Sequence, residues 1–141
     1  MHPNPAFPNL NATNYTITSP PTRQYNCIAW AADDELHWWW PEPRAYWPLG
    51  VPMDTTLVAF IEAFRTIGYE TCQDGSLESG LVKIALYARG SSITHAARQL
   101  PSGHWTSKLG EKEDIEHRTP DEVCGPVYGV VVQFLSRPIS P

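Results

Sequence analysis

A chain of 141 residues, 42% hydrophobic and 18% charged, is long enough for one domain with a single core that needs neither disulfides nor a structural metal. Its 14 prolines and 9 glycines predict many turns and exclude a fold dominated by long helices. The net charge of −5 and the pI near 5.4 lack the basic footprint of a protein that grips phosphate backbones, so nucleic acid is not an expected partner.

The three cysteines, Cys27, Cys72 and Cys124, are scattered and odd in number, which fits neither a disulfide framework nor the usual zinc spacing. No metal and no cofactor is expected, and the reducing cytoplasm is the expected compartment. No basic segment followed by an apolar core opens the chain, and no long apolar run occurs. The expectation is a soluble protein without a membrane span, with delivery by a dedicated secretion system left open. Asn11-Ala12-Thr13 and Asn14-Tyr15-Thr16 match the glycosylation acceptor pattern, but carry little weight without a signal segment.

Residues 1–23, rich in Pro, Asn and Thr, read as an extended arm on a single domain spanning 24–141, pinned by Phe7 and Tyr15. In Gln24-Tyr25-Asn26-Cys27-Ile28-Ala29-Trp30-Ala31-Ala32, Asn26 stands where a helix is capped and Cys27 falls in the first turn. The helix is expected to end near Asp33-Asp34. Unpaired N–H groups at a helix start favour a thiolate, which makes Cys27 a candidate nucleophile; the competing assignment is a small buried hydrophobe. The next stretch concentrates aromatics and prolines from Trp38-Trp39-Trp40 to Trp47-Pro48. These rings either cover the core where regular structure is lacking or, as Trp38 and Trp39, wall a groove beside Cys27.

Asp54 is expected to cap a second helix, whose apolar face is Leu57, Phe60, Ile61, Phe64 and Ile67, with Gly68 as its stop. Tyr69 to Cys72 reads as a short edge strand before the turn Gln73-Asp74-Gly75-Ser76. Leu81 to Ala88, Ile93 to Leu100 and His104 to Leu109 form an expected antiparallel meander with turns at Arg89-Gly90-Ser91 and Pro101-Ser102-Gly103. A charged piece, Glu111 to His117, follows, and a Val-rich strand from Val127 to Leu135 closes the domain.

Tyr25-Asn26-Cys27 resembles the Tyr/Phe-Asp-Cys at the nucleophile of NlpC-type cell-wall peptidases and their CHAP amidase relatives, within the papain-like thiol hydrolases. The hairpin from Lys83 to Ala96 resembles the strand-turn-strand of that family, ending in Ile/Val-His-Ala. The two motifs, Tyr25 to Ala31 and Thr94 to Leu100, are also similar to those of a bacterial family of papain-like domains. The resemblance implies an α+β fold of papain-like type, with N-terminal helices packed on an antiparallel sheet. It further implies a cysteine hydrolase of peptidase or amidase type, acting on a peptide or another amide-containing substrate. One departure is plain: those peptidases generally carry their His where this chain has Lys83, and the His here is His95 on the second strand.

In this scheme Cys27 attacks the carbonyl while His95 keeps it ionised and protonates the leaving group. Asp114 is the first choice to orient the imidazole, with Ser107 and His117 as alternatives. Gln24 would assist the oxyanion, as a Gln ahead of the nucleophile does in papain-like enzymes. Two further functions stay open. His95, Arg98, Ser107 and Lys108 resemble the set used by small metal-independent ribonucleases, which would make the chain a ribonuclease-type toxin. Alternatively, the protein is a non-catalytic binding module presenting the Trp-rich loop and Arg98.

Overall fold

A computed structural model describes residues 6–11, 13–109 and 113–139. The first five residues of the expected arm, Ala12 of one acceptor pattern, and Glu111 and Lys112 of the charged piece lie outside these. In chain order the elements are strand β1 (Tyr15–Ser19), helix α1 (Cys27–Ala31), helix α2 (Leu57–Arg65) and strands β2 (Glu70–Cys72), β3 (Leu81–Arg89), β4 (Ser92–Gln99), β5 (Trp105–Lys108) and β6 (Asp114–His117). A 3-10 turn (Pro120–Val123) and strand β7 (Val130–Pro138) complete it. Among the described residues no helix is long and apolar enough to cross a membrane.

All seven strands form one antiparallel sheet in the order β1-β6-β5-β4-β3-β7-β2. The expected meander β3-β4-β5 is present, and residues 70–72 do form an edge strand, paired with β7. Leu81–Arg89 is apolar at almost every position because both faces of β3 are covered. Ile84, Leu86 and Ala88 pack beneath the helices with Ile28, Ala29, Phe60, Phe64 and Leu135. Ala85 and Tyr87 face a second cluster with Trp105, Ile115, Val123 and Tyr128, closed over by Phe7 and Leu10 of the arm. Strand periodicity of two sends alternate residues of one strand into two separate cores.

The expected papain-like α+β fold is not what forms. The sheet dominates, and α-helix is confined to segments of five and nine residues lying on one face of it. Asn26 does cap α1, its side chain accepting from the Ala29 N–H, but the helix ends at Ala31 rather than near Asp33-Asp34. The chain turns out of the helix at Asp33, whose φ is 64°, and the Asp34 carboxylate then accepts from the Leu36 N–H and the Trp39 indole. Local side-chain hydrogen bonds of Asp compete with the helical ladder, and here they win. The cap of α2 is Thr56, not Asp54; Asp54 Oδ1 instead accepts from the N–H and hydroxyl of Thr56.

Two segments contribute strands that the sequence reading does not assign. Residues 15–19 of the arm pair with β6 as β1, and part of the charged piece becomes β6, an interior strand between β1 and β5. Polar residues are tolerated there because each finds a partner. Tyr25 donates to Asp114 Oδ2 at 2.6 Å, and Glu116 Oε2 lies 2.8 Å from His104 Nδ1.

Candidate functional site

Cys27 opens α1 beneath the sheet, with its neighbours Ile28, Ala29 and Ala31 in the helix-side core, and is only 6% exposed. Its Sγ lies 3.8 Å from the Thr94 carbonyl oxygen, toward which the thiol donates. Burial pushes the thiol up to about 11, outweighing the backbone N–H groups of Ala96, Ile28 and Cys27 and the charge of Lys108, all of which favour the thiolate. A five-residue helix aligns too few peptide dipoles to offset that desolvation. The cysteine is a thiol at neutral pH.

His95 stands on the opposite face. Its cross-strand partner is Tyr87, and its ring stacks on Tyr128 with centroids 3.9 Å apart; both tyrosines belong to the second core. The ring is fully buried and bonded through Nε2 to Ser107 Oγ at 3.0 Å, and Ser107 Oγ lies 2.7 Å from His117 Nε2. His117 Nδ1 is 2.8 Å from the Thr119 carbonyl, which can only accept, so Nδ1 carries the proton. Ser107 therefore donates to His117 Nε2 and accepts from His95 Nε2–H. That leaves His95 Nδ1 as a buried lone pair with no hydrogen-bond partner. Burial pushes both imidazoles down, His117 to about 4 despite the Thr119 carbonyl and Glu116, which favour its charge, and His95 well below its ordinary value, with the positive charge of a protonated His117 acting in the same direction.

The remaining expected site residues are placed as follows. Asp114 lies on the helix face, bonded to Tyr25, and does not orient His95; Ser107 and His117 touch His95 instead. Gln24 is exposed, its backbone N–H donating to Thr22 Oγ1. Trp39 is buried against Phe64 and Tyr46 and is no groove wall, while Trp38 is half-buried. Trp40 and Trp47 pack edge-on to Phe60, so the aromatic stretch mainly roofs α2. Lys83, 1% exposed, pairs with Asp74 and Glu78 and ties down the 74–78 loop. Burial opposes its charge, but those two carboxylates raise its pKa overall.

The ribonuclease-type set is split by the sheet in the same way. His95 and Ser107 share one face, while Arg98 lies over Trp30 and Lys108 over Tyr25 on the helix face. Alternation along β4 and β5 forces this, since residues three apart or adjacent on a strand point to opposite sides.

A cleft of about 720 Å³ lies open at one end of the sheet, formed by residues 77–82, 98–101 and 137–139 with Asp33. Arg98 pairs with Ile84 and Arg137 with Val82, so two guanidinium groups flank β3 from its two neighbouring strands. Arg98 Nη1 is 3.6 Å from Asp33 Oδ1, and Arg137 lies over Tyr69 while donating to the Ile67 carbonyl. Gln99, 4% exposed, donates through Nε2 to the Gly75 carbonyl, but its Oε1 has no partner; neither has the buried Nε of Arg98. Arg137 and Gln99 escape a reading of the sequence. Only the β3–β7 pairing brings position 137 to the same end of the sheet as position 98, with β3 between them.

Among the described residues no group of His, Cys, Asp and Glu is arranged to hold a metal ion. The fold and these sites define a small antiparallel-sheet domain with a sealed thiol, a sealed histidine pair and an open cleft lined by two arginines. The chain belongs to the family described as a domain of unknown function, DUF7689, whose profile matches residues 16–136. Neither a curated protein nor a solved structure matches it.

Proposed function

We propose that this domain is a non-catalytic binding module whose ligand occupies the Arg98/Arg137 cleft. The observation that carries the proposal is the open cleft itself, which the Arg98 and Arg137 side chains line from the two strands beside β3. The cleft also mixes apolar walls, such as Leu81 and Pro138, with a few polar groups, which is the usual make-up of a small-ligand site.

A cysteine hydrolase would need a base beside Cys27 and access to its sulfur. The nearest recorded partner of that sulfur is a backbone carbonyl, and the histidine stands behind the sheet. The binding reading keeps Arg98, one of the residues expected to carry binding, and moves the site away from the Trp-rich loop.

The test is an NMR titration of the isotope-labelled chain with a fragment library. Shifts are expected at the amides of Gly80, Leu81, Leu100 and Ile139. Shifts confined to Trp38 and Trp40, or none at all, would overturn the proposal.

A further inference from the structure

We infer that the helix face of the cleft is a site for an oxyanion, a carboxylate or a phosphate, which takes the place of the Asp33 carboxylate at Arg98; the inference rests on the cleft being the ligand site. Strand alternation sorts the lining charges. Arg98 and Arg137 pair with Ile84 and Val82, two residues apart on β3 and both packed on the helix side, so the two arginine side chains share that face. Lys83, between those two partners, points to the other face and engages Glu78 there. Of the carboxylates that line the cleft, only Asp33 is left to oppose the two guanidinium groups.

Arg98 is the less satisfied of the pair. Its side chain is only 19% exposed and lies over Trp30, yet among the described residues it makes no hydrogen bond. Its counter-charge, Asp33 Oδ1, stands 3.6 Å from Nη1, beyond hydrogen-bonding range, on a side chain that is itself 64% exposed. Nε is sealed from solvent, whereas Nη1 and Nη2 are not, so a ligand in the cleft reaches the latter two. Arg137 is held over the Tyr69 ring at 4.8 Å and commits only Nη1, to the Ile67 carbonyl. A guanidinium presents its N–H donors in one plane and grips an oxyanion through two parallel hydrogen bonds, a stronger contact than the loose ion pair it would replace. Val82, Leu100 and Ile139 line the same cleft and supply apolar surface for whatever carries the anion.

The probes are hexanoate, hexyl phosphate and the neutral hexanamide, each titrated into the full chain in phosphate-free buffer and followed by amide shifts at Gly80, Leu81, Leu100 and Ile139. One of the anions is expected to bind at least about tenfold more tightly than hexanamide, and the tighter of the two identifies the oxyanion. Arg98→Gln is expected to weaken that anion about tenfold. Asp33→Asn, at an exposed position whose φ of 64° asparagine tolerates, removes the competing charge and should tighten the anion about fivefold while leaving hexanamide unchanged. Because Asp33→Asn leaves the interior untouched, the outcome does not depend on whether Arg98→Gln folds. Equal binding of amide and anions, no binding of any of the three, a folded Arg98→Gln that binds as before, or an Asp33→Asn that binds no more tightly, overturns the oxyanion site, while hits from the fragment library would keep the cleft as a ligand site. Absence of cleft shifts with these probes and with the fragment library overturns both.

Discussion

Cys27 and His95 lie on opposite faces of strand β4, the sulfur against the backbone at Thr94 and the imidazole stacked on Tyr128. The thiol is consequently expected to be inert in the folded protein. With a thiol-directed reagent at pH 7.5, Cys72 and Cys124, both half-buried, should label first, and Cys27 only as the chain unfolds. Mass mapping of the labelled peptides decides this, and rapid native labelling of Cys27 would contradict the assignment. Cys27→Ala should destabilise by about 1–2 kcal/mol through lost packing.

The histidine pair ties stability to pH. An unfolded His titrates near 6.5, whereas His117 in the fold is pushed down to about 4, so below pH 6.5 the unfolded chain binds more protons. The neutral pair contributes fully above that value, and the contribution is lost as pH falls toward 4. The expected loss from His117 is about 3 kcal/mol, with His95 adding in the same direction. Urea unfolding at pH 7, 5.5 and 4.5 measures it. His117→Gln should be less stable at pH 7 and show a flatter profile.

Two helix caps should differ sharply. Asn26 accepts from the N–H groups of Ala29 and Trp39 and donates to the Trp39 carbonyl at 2.6 Å, all in the interior. Asn26→Ala removes a cap and strands the polar groups of Trp39, for an expected cost of about 3–4 kcal/mol. Thr56, exposed, accepts the ordinary cap bond from Ala59 N–H and donates its hydroxyl to the equally exposed Asp54, and Thr56→Ala should cost about 1 kcal/mol. Chemical denaturation of the two variants gives the comparison, and equal costs would show that the Asn26 bridge to Trp39 is unimportant.

Gly129 and Gly50 both have positive φ, 78° and 85°, but their surroundings differ. A Cβ on Gly129 would collide with the Ala88 carbonyl, while one on Gly50 meets open space. Gly129→Ala should cost at least about 3 kcal/mol because backbone must move, and should loosen the 125–129 loop that carries Tyr128. Gly50→Ala should cost about 1 kcal/mol, the strain of the conformation alone. Thermal melts of both variants separate the two contributions.

Local pattern was enough to place much of this protein. Asn26 followed by Cys27-Ile28-Ala29 specifies a capped helix start, the spacing of Leu57, Phe60, Ile61 and Phe64 specifies α2, and the apolar runs around Ile84 and Ala96 specify paired strands. These are short-range properties, governed by cap chemistry and by the periods of helix and strand. The sequence could not reveal that Asp114-Ile115-Glu116-His117 is an interior strand, because its polar residues find partners such as Tyr25, His104 and Ser107 only once the sheet has formed. Nor could it say which face of the sheet each candidate occupies. Cys27 reaches the sheet through a helix and His95 through a bulged hairpin, and a change of one residue in register inverts the face. Tertiary structure alone decided that the nucleophile and the imidazole are separated and that Arg98 and Arg137 line one cleft, since the first depends on how α1 docks against β4 and the second on the β3–β7 pairing, each between segments remote in sequence.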